Sequence, residues 1–154
     1  MPRRAIHQSA GAVASVVIAS YIARDQPQQQ QIIEVLAAGF SGWYASLLPD
    51  MIDPPTSGNH RGVGHGAVQV CAGILAALQK TPEAQQHLRA RAEEFSVRLR
   101  RVELGFKDPW PAWQLAAAEL YCRMLAGALI GLAVGVGLHL LLDARTPRGL
   151  PLIA

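Results

Sequence analysis

The 154-residue sequence is short of charge. Asp, Glu, Lys and Arg make up 16% of it, against about 25% in an ordinary soluble domain. Hydrophobic residues make up 51%, so few groups are left to coat a water-facing surface, and contact with a membrane or burial in an oligomer is implied. Cysteine is equally scarce. Cys71 and Cys122 stand far apart, which excludes a disulfide framework and a cysteine-ligated zinc site and suits small buried residues in a reducing compartment. A strong charge of either sign is absent as well, the formal charge being +3. Arg89, Arg91, Arg98, Arg100 and Arg101 are interleaved with Glu93, Glu94 and Glu103, so this run reads as a solvated helix face and nucleic-acid binding is not expected. The mild basic excess suits an anionic membrane surface or a phosphate-bearing substrate. No stretch of linker composition divides the chain, and residues 1–154 are expected to form a single domain.

What is present is concentrated between Leu47 and Gly66, LLPDMIDPPTSGNHRGVGHG. Asp50, Asp53, His60 and His65 fall close together there, among three prolines, four glycines and one arginine. Carboxylates and imidazoles bind zinc, manganese or iron, and proline and glycine hold a loop tightly enough to aim them. The segment reads as a metal-binding loop.

The flanking segments read as helices. Arg3 and Arg4 precede an apolar run from Ala10 to Ala23, which resembles a signal peptide or a short anchor; the first helix is expected over about residues 5–24, with His7 in its first turn. A second helix follows Pro27 and runs to about Leu48, where Pro49 stops it and leaves Asp50 and Asp53 at its C-terminal end. Two carboxylates are unfavourable at the negative end of a helix dipole, and a bound cation would relieve them. A third helix is expected from about Gly66 to Lys80. Thr81, Pro82 and Glu83 signal the start of a fourth, which Gly105 stops. In the fourth helix Leu88, Ala92, Phe95, Leu99 and Val102 form one apolar stripe, fit to pack on the protein body, on a membrane surface or on another subunit. The connection GFKDPWPAW carries Phe106, Trp110 and Trp113 beside Lys107, a combination suited to a lipid headgroup layer or to a packed loop.

Pro111 opens the last helix, expected to reach about Asp143. From Leu125 to Leu142 it carries no Asp, Glu, Lys or Arg, a membrane-spanning length. Gly127, Gly131 and Gly135 lie four apart and form a groove that another helix can approach closely, and self-association through this face is expected. The fold class is therefore all-α: a single helical domain of about five helices with a long, glycine-rich, apolar C-terminal helix.

His139 and Asp143, also four apart, project from one face of that helix. With His7, Asp50, Asp53, His60 and His65 they offer four imidazoles and three carboxylates, enough for one or two divalent ions. Without metal, three facing carboxylates would repel. Each residue also has an ordinary role open to it: His7 exposed near the terminus, Asp50 and Asp53 as helix-end and turn residues, His60, His65 and His139 as hydrogen-bonded histidines.

The blocks LLPDMIDP, HRGVGHG and GLHLLLDARTPRGLPL, in that order after an early histidine, resemble the YdjM-like membrane-bound metal-dependent hydrolases of bacteria. The resemblance implies an inner-membrane helical protein with a fold similar to zinc-dependent phospholipase C. It implies metal binding by His7, Asp50, His60, His65, His139 and Asp143, and it matches Arg61 and Arg148 to the motif arginines of the family. Met51 and Ile52 separate Asp50 from Asp53, where the family usually has one intervening residue, and Gly64 and Gly66 flank His65 where relatives carry Thr and Ser.

These readings lead to two expectations. The first is a membrane-associated hydrolase, at the cytoplasmic side of the inner membrane, acting on a phosphoester of a lipid or small molecule. It would use one or two metal ions, zinc foremost and manganese or iron as alternatives, with Asp53 or Asp50 accepting a proton and Arg61 or Arg148 neutralising developing charge. The second is a non-catalytic, self-associating helical scaffold in which a metal only fastens the loop to the last helix.

Overall fold

The computed structural model describes the backbone of residues 2–52 and 67–144 and the side chains of residues 5–51 and 80–143. It is all-α, with no strand among the described residues. The described residues form four long helices, α1 (Pro2–Ile22), α2 (Gln28–Ala45), α4 (Ala67–Glu103) and α5 (Ala112–Ala144), and one five-residue helix, α3 (Leu48–Ile52). Helix α5 packs against all the others.

The ends of these helices follow from local chemistry, with two corrections. Gly105 stops α4 as expected: its φ is +89°, and the Gly105 N–H donates to the Val102 carbonyl while the Phe106 N–H donates to that of Arg101, the paired closure that a left-handed glycine permits. Pro111 opens α5, its carbonyl accepting from the N–H groups of Gln114 and Leu115. The expected break at Thr81 and Pro82 does not occur. Pro82 lies inside α4, so the third and fourth expected helices are one. Proline removes a single ladder hydrogen bond and costs about 3 kcal/mol in a helix interior, and the packing of α4 along α5 outweighs that local signal.

The second correction concerns Pro49. Helix α2 ends earlier, at Ala45, where the Ser46 hydroxyl donates to the Trp43 carbonyl at 2.8 Å and the Leu47 N–H closes a tighter turn onto Tyr44. Pro49 then lies in the first turn of α3, where its missing N–H costs nothing. Asp50 follows it in that turn. It therefore sits near the positive end of a helix dipole, and the electrostatic objection to a carboxylate there disappears.

Rows of small residues four apart bring the helices together. On α5 the row is Gly127, Gly131 and Gly135; on α2 it is Ala38, Gly42 and Ser46; on α1 it is Gly11, Ser15 and Ala19, and all of these are buried. A Cβ on Gly127 would collide with the Glu34 backbone, one on Gly131 with Ser41 and the Ala38 carbonyl, and one on Gly135 would lie 2.5 Å from the Gly42 carbonyl oxygen. The Ser41 hydroxyl, 3.2 Å from the Ala38 carbonyl of its own helix, also reaches that of Ala128 on α5 at 3.1 Å. The glycine face expected to join subunits is thus filled by α2 of the same chain.

The distribution of polarity is that of a protein in lipid. Arg123, Leu115, His139 and Glu34 are the largest fully buried side chains, whereas Leu36, Phe40, Val17 and Trp113 are each more than 60% exposed. Among the described residues three segments, Ala5–Ile22, Gln28–Met51 and Ala112–Asp143, are long and apolar enough to cross a membrane. Among the described residues, the pairs of arginine with carboxylate lie toward one end. Glu34 is held by Arg89 of α4, whose Nε donates at 3.0 and 3.1 Å to the two carboxylate oxygens. Because Gly127 packs on the Glu34 backbone, α2 has only residues 28–33 beyond this level, while α4 continues from 90 to 103 and α5 extends back from 126 to 112. These two stretches form an antiparallel hairpin that outruns α1 and α2. Its tip is pinned by Arg98 gripping Asp108 through Nε at 2.9 Å and Nη2 at 2.7 Å, with Phe95 and Trp110 stacked at 5.6 Å beside it. Of the expected α4 stripe, Ala92 and Phe95 are fully buried, and Leu88, Leu99 and Val102 half-buried.

Candidate metal centre

The row of small residues on α5 ends in His139 and Asp143, which continue it at the same spacing of four. The row on α1, followed toward the N-terminus from Ala19 through Ser15 and Gly11, ends at His7. Asp50 follows Ser46 by four residues, across the turn that separates α2 from α3. Each close-packed helix face therefore leads to a potential ligand, and the antiparallel order of the helices brings all of them to one end of the bundle.

There His7, His139 and Asp143 offer ligand atoms that all lie within 4.8 Å of one another. His7 Nε2 stands 3.5 Å from Asp143 Oδ1, His139 Nε2 stands 3.6 Å from Asp143 Oδ2, and His139 Nε2 is also 3.5 Å from Asp50 Oδ1. The two imidazole rings lie 4.3 Å apart between centroids, tilted by 31°. These separations exceed the usual 2.7–3.2 Å hydrogen bond. Two donors each bound at about 2.0–2.1 Å to a tetrahedral zinc would stand about 3.3–3.4 Å apart, close to the observed spacing. The donor chemistry fits too: two carboxylates and two imidazoles carry two negative charges when the imidazoles are neutral, which one divalent cation balances.

Burial is uneven in a way that matters for chemistry. His7, His139 and Asp143 are buried, while the Asp50 side chain is 33% exposed. The cluster is closed on its helical side and opens toward Asp50. A structural metal site is closed by protein ligands, and a catalytic one keeps a position for water or substrate.

Of the expected site residues, the structure thus brings together His7, Asp50, His139 and Asp143. Asp53, His60, Arg61, His65 and Arg148 lie outside the described residues. Two buried charge clusters escaped the sequence reading. One is Glu34 with Arg89, 55 positions apart; the other is Arg123, whose Nη2 stands 3.0 Å from Glu119 and 3.6 Å from Glu93. In the sequence they show as charges within apolar helices, Glu34 in α2 and the Glu119, Arg123 pair in α5. Such charges in spanning segments face inward and pair.

The family model described as YdjM inner membrane protein matches residues 1–154, the whole chain, and the chain belongs to that family. No curated protein and no solved structure matches it.

Proposed function

We propose that this member of the YdjM inner membrane protein family is a metal-dependent hydrolase of phosphoester bonds. The observation that carries the proposal is the convergence of His7 from α1 with His139 and Asp143 from α5, and of Asp50 from α3 on His139, with facing donor atoms 3.5–3.6 Å apart. Its membrane location rests on the family and on three helices long and apolar enough to cross a bilayer. We place the centre at the cytoplasmic side of the membrane, with Arg3 and Arg4 at the N-terminal end of α1 as its basic flank.

His7, His139 and Asp143 would hold the ion from the buried side and Asp50 from the open side. His60 and His65, from the loop after α3, would complete one site or build a second. Zinc is the first candidate, with manganese and iron as alternatives. Bound there, a divalent cation supplies Lewis acidity, acidifying water and neutralising charge on a phosphoryl group. The protein's own groups do the rest: Asp53 accepts a proton, and Arg61 and Arg148 provide planar, bidentate donors for phosphoryl oxygens. The partial exposure of Asp50 favours this reading over a scaffold in which the metal is only a clamp.

The test is elemental mass spectrometry on protein purified without added metal or chelator, beside a His60→Ala, His139→Ala double variant. One or two equivalents of metal in the wild type and none in the variant are expected. A wild type that contains no metal and takes up none on titration would end the hydrolase reading and leave a helical scaffold.

A further inference from the structure

Where α4 and α5 rise beyond α1 and α2 as a hairpin, the outer side of α5 is apolar without a break. Trp113, Ala117, Leu120 and Met124 are all exposed, at successive spacings of four, three and four, those of a coiled-coil seam. Ala116 and Tyr121, exposed as well, flank the seam. Between Ala112 and Leu142, Asp, Glu, Lys and Arg occur only at positions 119 and 123, and both turn toward α4. There Arg123 Nη2 stands 3.0 Å from Glu119 and 3.6 Å from Glu93, and Leu115 on the same side is fully buried. Three residues after Met124 the seam reaches Gly127, which packs on the Glu34 backbone of α2. Gln28, the first residue of α2, comes six residues before Glu34 and so lies near the level of Tyr121. No part of α2 reaches Ala117 or Trp113, and their side of α5 is left bare.

Most of this seam stands beyond the lipid. From Trp113 to Asp143 α5 rises about 45 Å, against about 30 Å for the hydrocarbon core of a bilayer. The end that emerges is the hairpin. Glu93 lies beside Arg123, and from there to the turn α4 carries Glu94, Arg98, Arg100, Arg101 and Glu103, too much charge for hydrocarbon. Nor can the rest of the chain cover the outer half of the seam. Segments 53–66 and 145–154 leave the described helices at the opposite end of the bundle, roughly 39–46 Å from Trp113 along α5. Ten residues fully extended span about 35 Å, and a loop of fourteen tied at both ends reaches less far.

We propose that this seam docks a second copy of the chain. Two α5 helices, parallel and related by a two-fold axis normal to the membrane, meet through Trp113, Ala117, Leu120 and Met124. Copies inserted in one bilayer with one orientation present the seam at the same height, as a two-fold contact requires. Ala116 and Ala117 lie beside Trp113 and Leu120, so each helix supplies both the projection and the recess that the other needs, and no charge on the seam repels its like. Trp113 and Tyr121, 69% and 62% exposed, together contribute about 200–300 Å² per copy. With Leu120, Met124 and the alanines, the two copies bury on the order of 1,000 Å², the area a specific interface needs. Confinement to one bilayer has already removed part of the translational and rotational freedom that association costs. Below Met124 the face turns under α2, so the copies touch through their hairpins, and the contact is independent of the cluster at the other end of the bundle.

The test uses the full chain with Cys71 and Cys122 replaced by Ala, reconstituted in lipid vesicles. Ala117→Cys, on the seam, should give a disulfide-linked dimer under mild oxidation. Val97→Cys, exposed on the outer side of α4 at about the same height, should not. Contact by random collision, or docking of the hairpin on some other molecule, would not separate the two cysteines in this way. In micelles, light scattering corrected for detergent should give the mass of two chains. Ala117→Glu sets two carboxylates face to face and should raise the dissociation constant at least tenfold, with helix content by circular dichroism unchanged. No dimer from Ala117→Cys, or equal yields from the two cysteines, overturns the proposal whatever the mass in micelles; so does an Ala117→Glu protein that associates as tightly as the wild type. Should Ala117→Glu not fold, the cysteine pair decides alone.

Discussion

Replacing Gly131 by alanine tests whether close packing of α2 on α5 builds both the fold and the proposed metal centre. Two opposing contributions have to be weighed. In a helix interior alanine is favoured over glycine by about 0.8–1.0 kcal/mol, so without tertiary contact the substitution would stabilise α5. Against this, the new Cβ would overlap Ser41 Oγ and the Ala38 carbonyl and come within 2.7 Å of the Gly42 nitrogen. Two of these are backbone atoms, and relief requires the helices to separate. Overpacking of this kind costs about 1–3 kcal/mol, and displacing the Ser41 hydroxyl from the Ala128 carbonyl adds about 0.6 kcal/mol, the usual worth of an interhelical hydrogen bond in a membrane. The net expectation is a loss of about 1–3 kcal/mol. Gly39 provides the control, since a Cβ there meets only a Val16 methyl group at 2.8 Å, which can turn aside. Gly39→Ala is expected to be neutral or stabilising by up to about 1 kcal/mol. The assay is reversible unfolding of the purified protein in mixed micelles, followed by circular dichroism, with metal retention measured in parallel. About two and three turns beyond Gly131 lie His139 and Asp143 on the same face, so Gly131→Ala should also weaken metal retention. A Gly131→Ala protein as stable as Gly39→Ala, with its metal intact, would refute the packing argument.

Other charges and the hairpin tip give further expectations. Arg89→Met leaves Glu34, fully buried, without its cation and should cost about 3–5 kcal/mol, while the double variant Glu34→Gln, Arg89→Met should recover much of that loss; equal stability of the two variants in the same unfolding assay would remove the ion pair from the account. At the hairpin tip, donation from the Arg98 guanidinium and from the Trp110 N–H holds the Asp108 carboxyl down at about 2. Its folded-state pKa lies below the ordinary value of 3.8, so the stabilisation is complete above about pH 4 and is lost as pH falls through about 2. Fluorescence from the tip tryptophans should change in that acid window and not between pH 5 and 8, and Asp108→Asn should abolish the acid step. Pro82→Ala should stabilise α4 by up to about 3 kcal/mol, read as a higher unfolding midpoint; no gain would mean that the proline is accommodated without strain.

The features legible in the sequence are those that repeat along a single helix. Gly127, Gly131, Gly135, His139 and Asp143 form one row at a spacing of four, and that spacing alone carries both the close approach and the inward direction of His139 and Asp143. It does not say which helix approaches, and the groove that suggested a second subunit is filled by α2 of the same chain. Pairings across sequence were hidden for the same reason: nothing near Glu34 announces Arg89, and the acidic residues that make α4 a solvated face in sequence include Glu93, which reaches Arg123. Local signals also misled where tertiary packing outweighed them. Thr81 and Pro82 resemble the start of a helix but lie within one, and Pro49 resembles a stop although Ser46 has already closed α2.

The small residues and the clustered histidines and aspartates are parts of one device. Histidine and aspartate side chains are short, and donor atoms 3.5–3.6 Å apart can be reached only from backbones that are themselves close. Gly11, Gly42, Gly131 and Gly135 set that closeness one to three turns from the cluster, where any Cβ would push α1, α2 and α5 apart. Lipid exerts no hydrophobic force between helices, so the contact has to come from fit and from hydrogen bonds such as that of Ser41 to Ala128. A metal drawn to the end of the rows would then hold α1, α3 and α5 together where the small-residue contact stops. Chelation should loosen that end first, and the glycine substitutions should weaken metal binding without touching a ligand.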